Sequence, residues 1–204
     1  MTDKGEAERL EALWAGEFGD EYSVRNRDDG AARRPFWEHV LTRISPASAL
    51  EVGCNVGGNL LALAPLLGAE NVAGVDVNES ALATLSAVEP RIRTELAQAR
   101  ALPFADDAFD LVFTTGVLIH QPPDTLDEVI DEIVRCAARY VVCGEYFAEA
   151  DEEIAYRGHH GALFRRDFGA LYQERGLQLV ERGFLPRDGV WDDLTYWIFR
   201  SSSA

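Results

Sequence analysis

The stretch Ala47–Leu60, ASALEVGCNVGGNL, decides the fold class of this 204-residue chain. It begins with the apolar run Ala49–Val52, which predicts a short buried strand. A glycine-rich turn, Gly53–Gly58, follows, and the apolar pattern then resumes with helical spacing over Asn59–Leu67. Pro65 should kink or end that helix. A strand, a glycine turn and a helix start in this order bring the backbone close to a ligand.

The next segment narrows the kind of ligand. A second buried strand, Asn71–Asp76, ends in a carboxylate. An acid at this position of a β–α–β unit can accept hydrogen bonds from both hydroxyls of a ribose. The spacing Glu51-x-Gly53-x-Asn55-x-Gly57 differs from the Gly-x-Gly-x-x-Gly spacing that seats a pyrophosphate on a helix N-terminus. A nicotinamide oxidoreductase is therefore disfavoured, and a plain strand-to-helix turn stays as the simplest alternative.

This glycine turn resembles motif I of the class I S-adenosylmethionine (SAM) methyltransferases, in which the acid lies near the methionine end of the cofactor. Asn55 stands where that family usually has its middle glycine, a mild change because Asn tolerates the left-handed conformation. The resemblance implies SAM as the cofactor and S-adenosylhomocysteine as its product. The cofactor contacts that it implies are Glu51, Gly53, Asn55, Gly57, Asp76 and Val77.

Two further stretches carry the same resemblance, which covers residues 47–144. The segment QARALPF at 98–104, followed by FDLV at 109–112, is similar to the family signature that holds the adenine. Gln98 replaces the usual acid there, and its amide oxygen can still accept from the adenine amino group. The segment GVLIH at 116–120 matches the stretch that lines the methionine end. The resemblance therefore adds Gln98, Ala99, Arg100 and Gly116 to the cofactor contacts.

A narrower resemblance lies outside this core. FGDEY at 18–22, YRGH at 156–159 and LFRRDFG at 163–169 look like the small methylases associated with pseudaminic acid biosynthesis. The polar loop 19–35 follows a helical stripe and precedes the glycine-turn strand, so we expect it to fold over the cofactor as a lid, with a plain linker as the alternative. Tyr22 and Asn26 of this loop are the cofactor contacts expected from the lid.

Strand and helix patterns alternate along the chain, which is typical of a parallel sheet with helices on both faces. The predicted fold class is α/β: a Rossmann-like, doubly wound, mostly parallel seven-stranded sheet with an antiparallel C-terminal strand pair. We expect one domain over 1–204, divided into N-terminal helices and lid (1–45), a cofactor-binding core (46–144) and a substrate segment with the closing strands (145–204). Helices are expected at 6–19, 35–44, 59–67, 79–88, 125–139 and 167–175, and strands at 49–52, 71–76, 91–98, 111–115, 140–144, 177–184 and 194–200. The segment 145–164 is expected to be irregular.

Composition limits the partners. The net charge of −16 and pI of about 4.6 argue against a nucleic-acid backbone or an anionic membrane as the partner, although a local basic patch is compatible with them. The N-terminal residues MTDKGEAERLEA lack the basic and apolar regions of a signal peptide, and Cys54, Cys136 and Cys143 have no metal-ligand spacing. We therefore expect a cytoplasmic protein with a small-molecule substrate, no metal and reduced thiols. The oligomeric state stays open.

Polar residues after the later strands are candidates for the reaction. His120 follows the fourth strand at the carboxyl edge of the sheet, where it can act as the base, with a structural role capping the Pro122-Pro123 turn as the alternative. Glu145 and Tyr146 end the fifth strand and should border the acceptor pocket. A cationic segment should hold an anionic acceptor, unless its charges serve only solubility. Its candidate substrate contacts are Tyr156, Arg157, His159, His160 and Arg166.

These observations predict a SAM-dependent methyltransferase that acts on a small polar, anionic acceptor such as a sugar acid, a nucleotide sugar or a natural-product intermediate. Two alternatives share the cofactor. One is an enzyme of the same fold that uses SAM for other chemistry, such as cyclisation. The other is a non-catalytic partner subunit that binds SAM.

Overall fold

The computed structural model describes residues 4–26, 30–187 and 190–201. Its centre is a seven-stranded sheet with the order β3-β2-β1-β4-β5-β9-β8. The strands of this sheet are β1 Ala49–Val52, β2 Val72–Asp76, β3 Arg93–Leu96, β4 Phe109–Thr115, β5 Ala137–Glu145, β8 Gln178–Leu185 and β9 Leu194–Arg200. Strands β1 to β5 pair in parallel, and β9 runs antiparallel to both β5 and β8. The predicted fold class is confirmed.

Helices cover both faces of the sheet. The helices are α1 Lys4–Ala15, α2 Glu17–Arg25, α3 Arg34–Arg43, α4 Gly58–Leu67, α5 Glu79–Val88, α6 Pro123–Cys136 and α7 Phe168–Glu174. Side chains of α3, α4 and α5 pack with Ala49 and Phe113 on one face. Side chains of α6 and α7 pack with Leu50 and Val112 on the other face. Because successive strand residues point to opposite faces, β1 and β4 contribute to both cores and are buried on both sides.

The order of the strands fixes where a ligand can bind. The chain runs outward from β1 through β2 to β3, then returns to the other side of β1 with β4 and β5. In open sheets of this kind, ligands bind at the carboxyl ends of the strands where the order reverses. Here that point lies between β1 and β4, and α1 and α2 lie across it.

The prediction for the N-terminal region is wrong in one respect. The expected helix over 6–19 is broken at Gly16, which has an extended backbone, and α2 then runs through the first part of the segment predicted to be a loop. The buried residues of α2 are Gly19 and Ser23, which are small and have no apolar side chain. The helix therefore shows no hydrophobic stripe in its sequence, because it packs through close backbone approach instead.

Several element boundaries differ from those predicted, whereas the end of α4 does not. Pro65 lies inside α4 without ending it, and the helix ends at Leu67, the predicted last residue. Helix α6 ends at Cys136 because the residues after it already pair with β4, Phe109 being opposite Ala137. The irregular segment 145–164 contains one short strand, β6 Glu152–Glu153, paired with β7 Phe164–Arg165.

Two absences concern the described residues alone. Within residues 4–26, 30–187 and 190–201, no group of three or more His, Cys, Asp or Glu side chains is arranged to hold a metal ion. No helix in this part of the chain has the length and apolar character needed to cross a membrane.

Candidate functional site

A cavity of about 640 Å³ lies at the carboxyl edge of the sheet, at the reversal point of the strand order. Its floor consists of the residues at the ends of β1, β2 and β4, and α1 and α2 form its roof. The loop between β8 and β9 contributes Trp191 and Asp192 to one wall. The volume is within the range of small-molecule sites, roughly 300–1,000 Å³.

The glycine turn after β1 shapes the floor of the cavity. The backbone N–H groups of Gly53 and Cys54 both donate to the carbonyl oxygen of Val75, at 2.8 and 2.9 Å, which ties the turn to β2. Gly53 has a φ of 74°, and a Cβ there would lie 2.5 Å from the side chain of Val117. Only glycine fits this position without displacing a neighbour. Asn55 is also left-handed, with a φ of 49°.

Asp76 closes β2 beside this turn. Its Oδ2 accepts the backbone N–H of Asn55 at 2.8 Å, and its Oδ1 accepts that of Asn78 at 2.9 Å. Burial raises the pKa of the Asp76 carboxyl, and these backbone hydrogen bonds oppose the rise. A carboxylate has about four acceptor positions, so Asp76 keeps acceptor capacity toward the cavity that it lines.

Glu51 lies buried at the bottom of the cavity. Its Oε1 accepts from the side-chain amide of Asn59 at 2.6 Å and from the hydroxyl of Thr115 at 3.1 Å. Its Oε2 is buried and has no hydrogen-bond partner among the described residues. Burial raises the pKa of Glu51 to about 8, partly opposed by the Asn59 hydrogen bond and by the charge of Arg33. This oxygen lies next to the cavity, where a polar group of a ligand can bond to it.

His120 lies in the wall, at the end of a 3₁₀ turn over Leu118–His120. Its Nδ1 is 2.6 Å from the carbonyl oxygen of Ala162. A carbonyl oxygen can only accept, so Nδ1 carries the proton and Nε2 keeps its lone pair. Burial lowers the pKa of His120 to about 4, which keeps the ring neutral near pH 7. The ring packs against Trp14 and Tyr156, with centroids 4.6 and 5.2 Å away.

The outer part of the cavity carries tyrosines and arginines. The hydroxyl of Tyr146 donates to Oδ2 of Asp192 at 2.6 Å. Arg157 and Gly158 have φ values of 47° and 86°, and Tyr156 and His159 exchange backbone hydrogen bonds across them. This is the geometry of a two-residue hairpin turn in which both central residues are left-handed.

The guanidinium of Arg157 lies over the Tyr156 ring, 5.7 Å from its centroid. Within the described residues, Arg157 has no carboxylate partner. It lines the cavity. A cation held at the mouth of a cavity without a counter-charge can pair with an anionic group of a ligand.

The cavity brings together most of the site residues predicted from the sequence. Those that line it are Tyr22, Asn26, Glu51, Gly53, Asn55, Asp76, Val77, Ala99, Gly116, His120, Tyr146, Tyr156 and Arg157. The remaining ones, Gly57, Gln98, Arg100, Glu145, His159, His160 and Arg166, are not among its lining residues.

Each residue outside the cavity has another partner in the structure. Gln98 and Arg100 both donate to the Glu11 carboxylate of α1, at 2.8 Å, and Glu11 itself lines the cavity. Arg166 is buried, pairs with Asp151 at 3.3 Å and stacks over Phe164. Gly57 is packed against Leu85, the His160 carbonyl accepts from Arg9, and His159 faces Phe18.

Several cavity residues were missed by the sequence analysis. They are Trp14, Ser23, Arg33, Asn59, Thr115 and Asp192. For Asn59 a signal existed, because it is a polar residue at the start of an otherwise apolar helix. Trp14 belongs to an apolar helical stripe, which predicts core packing. It lines the cavity only because α1 lies across the cavity.

Comparisons with known proteins agree with this geometry. A family model described as a methyltransferase domain matches residues 49–139. Methyltransferase GfsG of Streptomyces halstedii is 35% identical over 115 residues, which are 53% of this chain and 38% of that protein. The tRNA U34 carboxymethyltransferase of Shewanella amazonensis is 33% identical over 108 residues, 48% of this chain and 32% of that protein. The chain thus spans between 32% and 38% of the length of the curated relatives it matches.

Solved structures extend the likeness to nearly the whole chain. The 1,6-didemethyltoxoflavin-N1-methyltransferase of Burkholderia thailandensis, crystallised with 1,6-didemethyltoxoflavin and S-adenosylhomocysteine, superposes with a TM-score of 0.78 at 15% identity, over 98% of this chain and 91% of that one. The [4+2]-cyclase SpnF superposes with a TM-score of 0.64 at 16% identity, over 86% of this chain and 85% of that one. At these identities the likeness shows the fold.

The sheet order defines a Rossmann-like domain, and its cavity lies at the carboxyl edge of the sheet, where open sheets of this kind bind ligands. The methyltransferase-domain model matches residues 49–139, which contain β1 to β4 and most of the cavity floor, so this part of the chain is similar to methyltransferases. The narrower resemblance to methylases of pseudaminic acid biosynthesis stays a prediction.

Proposed function

We propose that this protein is a SAM-dependent methyltransferase and that its acceptor is a small polar molecule with an anionic group. The observation that carries the cofactor assignment is the pair of acids at the cavity floor. Glu51 has an unpaired buried oxygen there, and Asp76 has spare acceptor capacity. Residues from the N-terminal part (1–45), the core (46–144) and the C-terminal part (145–204) all line the cavity, so we also propose that these parts act as one domain.

The residues present fit SAM. Asp76 would accept hydrogen bonds from the ribose hydroxyls, and Oε2 of Glu51 would accept from the ammonium of the methionine end. Arg33 supports a site for the methionine carboxylate, because it lines the same end of the cavity and its charge acts on Glu51. Apolar lining from Leu10, Ala97, Ala99 and Ile119 would flank the adenine. When bound, SAM supplies an electrophilic methyl group on a sulfonium.

His120 would prepare the acceptor for methyl transfer. Its Nε2 lone pair can accept a hydrogen bond from an acceptor O–H or N–H, because Nδ1 is held by Ala162. With a pKa of about 4 the neutral ring is a weak base, so it orients the nucleophile first and takes the proton as the new bond forms. Trp14 and Tyr156 pack against the His120 ring and would help to shield this position from water.

The anionic nature of the acceptor is inferred from Arg157. A protein with a net charge of −16 repels anions at long range, so an anionic substrate needs a local cation to dock. Arg157 is such a cation, and its side chain is not used in an internal ion pair within the described residues. It occupies a left-handed turn position, an unusual conformation for a non-glycine residue. A guanidinium can also grip a carboxylate or phosphate with two hydrogen bonds.

The cofactor assignment is tested by calorimetry on Asp76→Ala. Removal of a charged acceptor for the ribose hydroxyls should weaken SAM binding by about 1.5–3 kcal/mol, or one to two decades in Kd. Circular dichroism on the same samples checks that the variant is folded. Unchanged SAM affinity in a folded Asp76→Ala protein would refute the ribose assignment.

The acceptor assignment is tested by comparing Arg157→Met with Arg165→Met. Arg165 lies in the same segment but is half-exposed, pairs with Glu152 and does not line the cavity, so it is the matched control. With candidate anionic acceptors, Arg157→Met should raise KM about 10- to 100-fold and leave the Kd for SAM unchanged. Full kcat/KM in Arg157→Met on the true acceptor would place the anion site elsewhere.

Cyclisation is the second candidate reaction, because SpnF shares the fold. The two are separated by mass spectrometry of the reaction products. Methyl transfer predicts an acceptor heavier by one methyl group and an equal amount of S-adenosylhomocysteine. An isomerised substrate with SAM unconsumed would indicate a cyclase, and SAM binding without turnover of any acceptor would indicate a non-catalytic partner subunit.

A further inference from the structure

Glu145 ends β5 as a fully buried carboxylate that faces a backbone turn rather than the cavity. Its Oε1 accepts the backbone N–H of Val117 at 3.2 Å, and its Oε2 accepts that of Ile119, also at 3.2 Å. The side chain is 0% exposed. One carboxylate thus holds both ends of a three-residue stretch at the start of the 3₁₀ turn that carries His120.

Burying a carboxylate is costly, so its placement needs a reason. Within the described residues Glu145 has no ion pair, and burial raises its pKa to about 7 while the backbone hydrogen bonds oppose that rise. The first N–H groups of a helical turn have no partner inside the turn. In a buried turn they need an acceptor, and Glu145 supplies two oxygens from one side chain.

The held turn contacts two parts of the site. The side chain of Val117 faces Gly53 so closely that a Cβ on that glycine would lie 2.5 Å from it. The backbone N–H of His120 donates to the carbonyl oxygen of Val117 at 3.0 Å. A shift of Val117 would therefore move both the glycine turn on the cavity floor and the ring of His120.

We propose that Glu145 is a positioning residue that fixes the turn 117–120, and through it the direction of Nε2 of His120. It acts through the backbone and does not touch the cofactor or the acceptor. The inference about activity rests on the proposed function of His120, whereas the inference about the turn does not.

The turn is tested by amide hydrogen exchange, measured by NMR without any substrate, in Glu145→Gln and Glu145→Met. Gln keeps one acceptor of the same shape, and Met keeps the volume with no strong acceptor. Exchange of the Val117 and Ile119 amides should accelerate about 10- to 100-fold in the Glu145→Met variant and less in the Glu145→Gln variant. Glu132→Gln is the control, because Glu132 also accepts a backbone N–H, that of Leu102 at 2.8 Å, but lies outside the cavity lining.

Kinetics separate positioning from simple stability. In Glu145→Gln, kcat should fall about tenfold while the Kd for SAM changes less than twofold. In Glu145→Met, kcat should fall further. Unchanged exchange at Val117 and Ile119 in both variants would overturn the proposal. Equal acceleration across β4 and β5, with kcat restored at lower temperature, would also overturn it, since that is the result of a purely structural role.

The proposed function can fail independently. A wild-type protein that binds SAM and methylates no acceptor would defeat the role of His120 as base. In that case the hydrogen-exchange comparison still decides whether Glu145 fixes the turn.

Discussion

Among single residues, Glu51 is the one whose protonation should respond to the cofactor. The side chain is 2% exposed and its Oε2 has no partner among the described residues. Burial raises its pKa to about 8, so the cofactor-free protein holds Glu51 protonated at pH 6. A positive charge placed beside it would favour the ionised form. Cofactor binding and loss of a proton are therefore expected to be linked.

We expect SAM binding at pH 6 to release most of one proton from Glu51. At that pH an α-amino group with an ordinary pKa, about 8, is already charged, so the cofactor contributes little to the proton balance. Calorimetry in two buffers of different ionisation enthalpy measures the release. Glu51→Gln should abolish it and weaken binding. Equal binding enthalpies in both buffers for the wild-type protein would contradict this prediction.

At the scale of elements, the roof over the cavity depends on how closely α2 approaches α1. Gly19 of α2 is buried, and a Cβ there would lie 1.8 Å from the carbonyl oxygen of Trp14 and 2.9 Å from the amide of Asn78. Asn78 in turn donates to Trp14 and to Asp20. One small residue thus lets α2 contact both α1 and the start of α5. This contact helps to hold the roof in place over the cavity.

Gly19→Ala should displace α2 and weaken SAM binding at least tenfold, because Tyr22 and Ser23 of this helix line the cavity. The clash is with backbone, so we also expect a loss of about 1–3 kcal/mol in stability. Gly5→Ala in α1 is the control, since a Cβ there meets nothing within 4 Å and alanine favours the helix. Calorimetry and thermal unfolding measure both effects. Wild-type SAM affinity in Gly19→Ala would mean that the roof does not depend on this contact.

For the whole molecule, buried titratable groups determine how stability depends on pH. Burial raises the pKa of Glu51 to about 8 and that of Glu145 to about 7, from an ordinary 4.5. The contributions of these two glutamates to the free energy of unfolding are complete below pH 4.5. They are lost as the pH rises from there through the folded-state pKa values. Burial lowers the pKa of His120 from 6.5 to about 4. Its contribution is complete above pH 6.5 and is lost as the pH falls toward 4.

The free energy of unfolding of the cofactor-free protein should therefore be highest near about pH 4 to 5 and should fall by at least about 2 kcal/mol between pH 6.5 and 8.5. Mutual repulsion in a protein of net charge −16 acts in the same direction on the alkaline side. Urea unfolding at a series of pH values measures the curve. Glu51→Gln should flatten its alkaline part. Stability that stays constant or rises from pH 6.5 to 8.5 would contradict the assigned directions.

The sequence by itself determined the fold class and much of the cavity floor. Apolar periodicity identified the strands because each strand is buried through its own residues, and this pattern is local. The ends of β1 and β2 meet at one edge of any parallel sheet, so Glu51, Asn55 and Asp76 were placed together before their contacts were known.

Only the tertiary structure decided contacts between parts of the chain that are far apart in sequence. Thr115 reaches Glu51 because β4 pairs with β1, and Glu145 reaches Val117 because β5 pairs with β4. Gln98 binds the Glu11 carboxylate because α1 lies beside the end of β3. The part of the roof that α2 forms after Gly19 was predicted as a loop, because α2 packs through small residues, which leave no hydrophobic period to detect. Such contacts depend on which elements pack against each other. The pattern of a single sequence predicts that a residue is buried but does not identify the residue it contacts.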